Sequence, residues 1–202
     1  MDADQLASLP ETDRLFDTIV RLFGIATPEL RPALTQASTL IAEALGADKV
    51  DVFLHEVASD SLVAMGTSET PMGRKQHELG LHILAISHGS PPTQVFRSGQ
   101  PYLTGRADQD PTQPRGIVEE LGVRSQLDVA LAVGVQRRGV LAVCSATPDQ
   151  FTERDLRFLT AVAGWIGLLT QRSELSEELA HQARWQGRRD AAEELAKLTR
   201  RQ

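Results

Sequence analysis

The segment GVLAVCSATPDQFTERDLRFLTAVAGWIGLLTQRSEL, residues 139 to 175, constrains the fold more than any other part of the chain. It joins a hydrophobic strand, a Pro-Asp turn and an amphipathic helix whose pattern continues toward the C-terminus. Thr152 stands at the helix start, and Glu153 and Asp155 occupy the first turn, where acids complement the helix dipole. Leu156, Leu159, Ala163, Ile166 and Leu169 form one apolar stripe that needs a sheet to cover. Beyond it the apolar positions thin to Leu168, Leu175 and Leu179, with Leu195 and Leu198 further on, so burial narrows to a coiled-coil-like seam. Gln182, Gln186 and Gly187 interrupt that seam, and its phase resets before Leu195. One helix therefore belongs to a sheet-bearing domain at its start and to a stalk at its end.

The rest of the chain supplies the sheet. Residues 11 to 23, ETDRLFDTIVRLF, place Leu15, Ile19 and Leu22 at helical spacing, and a second helix is expected from the Thr27-Pro28-Glu29 opening to Gly46. Lys49 to Glu56 alternates Val50, Val52 and Leu54 with Asp51, Phe53 and His55, and pairs as a hairpin with Ser61 to Met65. Residues 66 to 80 show no clear period. Leu81 to Ile86 reads as a strand, Ser90 to Arg97 as a brief helix, and Tyr102-Leu103 as a short extended piece. Residues 105 to 114 form a polar loop, and Ile117 to Leu121 spans one or two helical turns. Gln126 to Val133 and Arg138 to Ser145 form the clearest strand pair, expected at the sheet centre. This order predicts an α+β fold: a central antiparallel sheet, helices packed on one face and a long C-terminal helix.

Composition narrows the function. The 202 residues carry 27 acids against 21 Lys and Arg, a net charge of -6, which gives no broad attraction for nucleic acid or an anionic membrane. The most apolar run, near Leu159 to Leu169, falls short of a membrane span. The single Cys144 has no disulfide partner and the N-terminus lacks a signal-peptide pattern, so a reducing cytoplasm fits best.

His77, His82 and His88 cluster in sequence, but no Cys or carboxylate pattern completes a metal set, and structural histidines are the simpler reading. Cys144 in an apolar strand behaves as a small buried hydrophobe. No Ser-His-acid set, phosphate-cradling glycine loop or calcium-loop spacing is visible, so catalysis has no sequence support. The basic residues Arg184 to Arg189 are interleaved with acids at helical spacing and make a solvated helix face.

Three stretches, VFRSGQPYLTG at 95 to 105, ELGVRSQLDVALAV at 120 to 133 and RGVLAVCSATPDQFTERDLRFL at 138 to 159, resemble those of a GAF domain. The similarity runs from about Pro28 to Leu175 and is strongest to the sensor modules that precede the core of cytoplasmic histidine kinases. GRRDAAEEL at 187 to 195 looks like the lead into a phosphoacceptor helix, but AKLTRRQ follows with no His and acid pair, so no phosphotransfer chemistry is expected in these residues. The resemblance implies a helical N-terminal extension at 1-27 in a dimer interface, a sensor domain at 28-170 and an output stalk at 171-202. It implies a ligand pocket built of loops and short helices on the sheet face away from the main helices, roofed by the loop that holds Tyr102, Arg106, Asp110 and Arg115. Arg124, Ser125 and Asp128 enter the next strand, and His82 lies on an earlier one. The family's haem and bilin chemistries are disfavoured: the histidine spacing is poor and no Cys lies in a pocket loop. The cofactor thus stays open.

Asp128 is the strongest pocket candidate on its own residues. It interrupts the alternation of Leu127, Val129 and Leu131, and a buried carboxylate must face a polar cavity or be paired. A salt bridge to Arg124 or Arg115 that only pins the loop remains the competing reading. The expectation is a non-catalytic sensory module that binds a small molecule and passes a signal to an output domain such as a kinase core. It would form a homodimer through Leu15, Ile19, Leu22, Leu168, Leu175, Leu179, Leu195 and Leu198. A structural dimerisation module with a collapsed pocket is the alternative.

Overall fold

The computed structural model describes residues 11–27 and 29–199, with side-chain surroundings for 13–27 and 29–189. In chain order the elements are α1 (Glu11–Phe23), α2 (Leu30–Leu45), β1 (Lys49–Glu56), β2 (Ser61–Thr67), α3 (Pro71–Glu78), β3 (Ile83–Ala85), α4 (Pro91–Ser98), β4 (Tyr102–Thr104), β5 (Ser125–Val133), β6 (Gln136–Ser145) and α5 (Glu153–Thr199). The strands form one antiparallel sheet in the order β3-β2-β1-β6-β5-β4. The central place expected for the β5–β6 pair falls to β1 and β6, with β5 one place nearer the edge.

The two faces of this sheet follow directly from alternation. Val50, Val52, Leu127, Val129, Leu131, Leu141 and Val143 point to one face, where they pack with Leu34, Ile41 and Leu45 of α2 and Leu159, Val162 and Ile166 of α5. Gly66 lets α2 settle on β2, because a Cβ there would lie 2.5 Å from the Leu34 backbone. The second face carries Phe53, Ala64, Val140 and Ala142 and is covered by α3, α4 and the loop between β4 and β5.

Helix α5 is unbroken over 47 residues, a rod of about 70 Å at 1.5 Å per residue. A capping box starts it: the Thr152 amide and hydroxyl both donate to Asp155 Oδ2 at 2.8 Å, and the Asp155 amide returns a bond to Thr152 Oγ1 at 3.5 Å. Its first turns lie on β5, and near its exit from the body Arg138 of β6 pairs with Glu174.

Three local expectations are corrected. Residues 71 to 78 are helical, not irregular: Thr70 Oγ1 accepts from the Gly73 amide at 3.2 Å and Pro71 opens the helix, while burial of only Gly73 and Gln76 leaves no apolar stripe to read. The strand expected over Leu81 to Ile86 shrinks to Ile83–Ala85, since it is an edge strand with three register pairs to β2, and Ile86–His88 turns into a 3₁₀ segment. The second helix is entered through extended Glu29, with no side-chain cap, rather than capped by Thr27; Pro28 lies outside the described residues.

Candidate functional site

The polar phase of the central strands builds the site. Register places Thr67, Asp51, Ala142, Asp128 and Tyr102 opposite one another in a row across β2, β1, β6, β5 and β4. A second row holds Lys49, Cys144, Gln126 and Thr104. Residues opposite in register, and residues two apart on a strand, leave the sheet on the same side. Lys49, Asp51, Gln126 and Asp128 therefore share the face opposite the main helices, and all four are buried.

Asp51 is fully paired. It receives Lys49 Nζ, Gln76 Nε2 at 2.9 Å and Thr67 Oγ1 at 2.7 Å, and Lys49 Nζ also bonds Gln76 Oε1. Burial pulls the Lys49 ammonium down, but the charges of Asp51, Cys144 and Asp128 and the bond to Asp51 outweigh it and hold its pKa above the ordinary value. Asp128 is not satisfied in the same way. Gln126 Nε2 donates to its Oδ2 at 2.7 Å, while Oδ1 is buried with no partner. Burial pushes this carboxyl up to about 8, against the pull of the Gln126 bond and the Lys49 charge.

Over the rows sits a cavity lined by Lys49, Phe53, Gln76, Gln126, Ala142 and Cys144 from below and beside, and by Leu81, Leu84, Pro92, Gln113 and Ile117 among the covering groups. Its volume is 20 Å³, room for about one water. Gln113 reaches down from the β4–β5 loop and donates from Nε2 to Gln126 Oε1 at 2.7 Å. A chain of carboxamides thus leads from the roof to Asp128.

The sequence candidates divide on this map. Tyr102 donates to Asp110 Oδ2 at 2.6 Å, and Asp110 also accepts from the Thr112 amide and hydroxyl at 2.8 and 2.7 Å. Burial raises the Tyr102 pKa, aided by that bond; at Asp110 the hydrogen bonds override burial and lower it. Arg106 is exposed and 3.8 Å from Asp149, and Arg115 is exposed. Arg124 Nη1 donates to the Val118 and Val123 carbonyls, and Ser125 Oγ to Thr147 O at 2.8 Å, so neither arginine weighed as a partner for Asp128 is hydrogen-bonded to it. His82 stacks on His77 with centroids 4.9 Å apart, while His88 is exposed. Among the described residues, no group of three or more His, Cys, Asp and Glu could hold a metal ion.

Lys49, Asp51, Gln76, Gln113 and Gln126 were not singled out from the sequence. The signal available was the repeated pattern Lys49-Val50-Asp51 and Gln126-Leu127-Asp128, a polar residue and an acid two apart on the same phase of two strands. Cys144 is buried beside the cavity, and burial pushes its thiol up to about 12.

The outward face of the terminal helices is apolar. Leu15 and Leu22 are buried within this one chain, so they are not the outward residues of α1; Phe16 (68% exposed), Val20 (54%) and Phe23 (65%) are. Phe23 meets Trp165 edge to face at 5.9 Å, and Ile19, Phe23, Ala161 and Trp165 line one groove between α1 and α5. The apolar line continues through Leu168 (58%), Leu175 (54%) and Leu179 (65%). Leu195 and Leu198 fall outside the residues whose side chains are described.

The family model for the GAF domain matches residues 29–169. Among curated proteins none matches the chain. Solved structures with the same fold include the GAF domain of a phosphoenolpyruvate-protein phosphotransferase from Coxiella burnetii (18% identity, TM-score 0.70, 83% of this chain and 96% of that one). A free methionine-R-sulfoxide reductase from Neisseria meningitidis, in complex with its substrate, is similar at 19% identity and TM-score 0.71, over 84% and 95% of the two chains. The phycoerythrobilin-bound GAF domain of a cyanobacterial phytochrome is similar at 14% identity and TM-score 0.62, over 84% and 99%.

Proposed function

Because this chain belongs to the GAF family, whose members are generally small-molecule sensory or regulatory modules, we propose that it binds a small ligand over β1, β6 and β5 and reports occupancy through α5. The observation that carries this reading is the double role of β5. One face presents Gln126 and Asp128 to the covered polar cluster, and the other packs Leu127, Val129 and Leu131 in the core shared with α5. A ligand that shifts the strand shifts the helix rooted on it, and the helix continues beyond the body as a rigid rod.

The rod needs a partner for its apolar line. A second copy of the chain, parallel along α1 and α5, supplies the same residues in register. In this scheme residues 1-27 belong to the dimer interface, 28-170 to the sensor and 171-202 to the stalk, which hands the change to an output domain such as a histidine kinase core. Non-catalytic action agrees with the thiol: Cys144 is the only cysteine, buried, and held far from the thiolate form that redox chemistry uses. A structural dimerisation module is the second reading, and the 20 Å³ cavity is the observation that favours it.

Sedimentation at tens of micromolar and native mass spectrometry test the proposal together. A dimer is expected, and Leu175→Asp with Leu179→Asp turns it into a monomer. Loss of four buried leucines per dimer, about 1.5 to 3 kcal/mol each, raises the dissociation constant by well over a thousandfold. A wild-type monomer, or a double variant that stays dimeric, refutes the seam.

A further inference from the structure

Lys49 and Asp51 stand on the same phase of β1, both buried on the covered face, and their ion pair is completed by a group from outside the sheet. That group is Gln76 of α3. Its Oε1 accepts from Lys49 Nζ, and its Nε2 donates to Asp51 Oδ1 at 2.9 Å. The pair thus presents a donor and an acceptor side by side, matched by the C=O and N–H of one carboxamide. The rest of the pair is fixed within the sheet: Thr67 Oγ1 donates to Asp51 Oδ1 at 2.7 Å, and Lys49 Nζ itself holds Oδ2.

This arrangement selects by pattern and by charge. A carboxylate in the place of the Gln76 amide sets one oxygen on Lys49 and turns the other against the Asp51 carboxylate. An ammonium or amidinium donates to Asp51 and turns N–H groups toward the Lys49 ammonium. A neutral edge with one acceptor and one donor satisfies both partners and leaves the ion pair balanced.

Gln76 is also a wall of the cavity, and with it in place the cavity measures 20 Å³, so anything larger than about one water needs a wall to move. Phe53, Gln126 and Ala142 are fixed in their strands. α4 buries Pro91, Pro92, Thr93 and Val95, and the β4–β5 loop buries Ala107, Ile117 and Leu121. α3 buries only Gly73 and Gln76, and its apolar contact is the half-buried Met72. Its other tie to the body is a bond from exposed Lys75 to the Glu120 carbonyl. An element held by so little apolar burial opens at low cost. The two bonds that Gln76 gives up are the ones a ligand of the same pattern restores.

We infer that the Gln76 carboxamide is a resident substitute for the ligand. The site takes a neutral molecule with a C=O and an N–H on one edge, a carboxamide or a lactam, which seats its oxygen on Lys49 and its N–H on Asp51 and releases α3 from the sheet. The inference rests on reading the covered cluster as the ligand site, and adds the class of ligand and the element that moves.

The test uses the full chain with pyrrolidinone as the lactam and acetamide as the carboxamide, at millimolar concentration, against N-methylpyrrolidinone, acetate and methylammonium. Thermal shift reads binding, and hydrogen exchange over residues 71 to 78 reads the release of α3. The lactam or the carboxamide is expected to raise the wild-type melting temperature and to speed exchange in α3, and the tighter of the two assigns the source of the edge. N-methylation removes the N–H that meets Asp51 and is expected to weaken binding about ten- to hundredfold, the loss of one hydrogen bond to a charged group. In Gln76→Ala the edge is vacant, so the same compounds bind more tightly and restore stability. Acetate or methylammonium binding as tightly as the amides overturns the ligand class and leaves the pocket reading standing. Rescue of Gln76→Ala with no wild-type response, or wild-type binding with α3 exchange unchanged, overturns the displacement and makes Gln76 a permanent wall. No response to any compound in either protein overturns both the inference and the pocket reading. Should Gln76→Ala fail to fold, the wild type decides, and equal binding of pyrrolidinone and its N-methyl form overturns the inference.

Discussion

Replacing Asp128 with asparagine removes a group whose protonation differs between the folded and unfolded chain, and the effect has a definite sign. The unfolded carboxyl titrates near 3.8 and the folded one near 8, raised by burial. Below the lower value both states hold the proton and the group adds no pH dependence. Between the two, the folded state keeps a proton that the unfolded state has released, so stability falls as pH rises, by about 1.4 kcal/mol per unit. Above the upper value the loss is complete. From about pH 5 to about pH 8 the wild type loses up to about 4 kcal/mol through this residue alone. The carboxamide introduced by Asp128→Asn is isosteric with the carboxyl, still offers an oxygen to Gln126 Nε2 and does not titrate. Urea denaturation of both proteins across this range is expected to give closely similar stabilities at the acidic end, with the variant increasingly more stable toward the alkaline end. Other titrating groups cancel in the difference apart from their coupling to Asp128. Parallel pH profiles, separated by a constant, would refute the claim that this carboxyl is buried without an adequate partner.

Two further outcomes follow from packing. Gly66→Ala is expected to destabilise by about 1 to 3 kcal/mol, because its Cβ would press within 2.5 Å of the Leu34 backbone and push α2 off β2; chemical denaturation measures the cost. Cys144 is expected to resist an aromatic disulfide reagent in the native state and to react at once in denaturant, since burial disfavours its thiolate; rapid native labelling would contradict its place beneath the cavity.

The contrast between α5 and α3 explains how much of the fold a reader of the sequence could recover. In α5 the Thr152 and Asp155 cap and the stripe from Leu156 to Leu169 are local signals, and each is realised in the structure. In α3 the helix is held by one threonine cap and by Gln76, a polar residue buried for its bonds to Lys49 and Asp51. An apolar period cannot reveal a helix whose buried face is a glycine and a carboxamide. The same distinction separates Leu15 and Leu22 from Phe16 and Phe23: all lie on an amphipathic helix, but only the docking of α1 against α2 decides which side turns inward.

By itself the amino-acid order determined most element types, though not α3, together with the antiparallel alternation, the long terminal helix and the exceptional place of Asp128 in an apolar strand, because each is written in residues a few positions apart. Tertiary structure decided that Asp51 and Asp128 flank the same alanine, that Lys49 hydrogen-bonds to Asp51 and reaches Asp128 through its charge alone, and that Gln113 reaches Gln126 from a loop. Those relations depend on strand order and register, which bring together residues dozens of positions apart, and no periodicity within a strand encodes its neighbour.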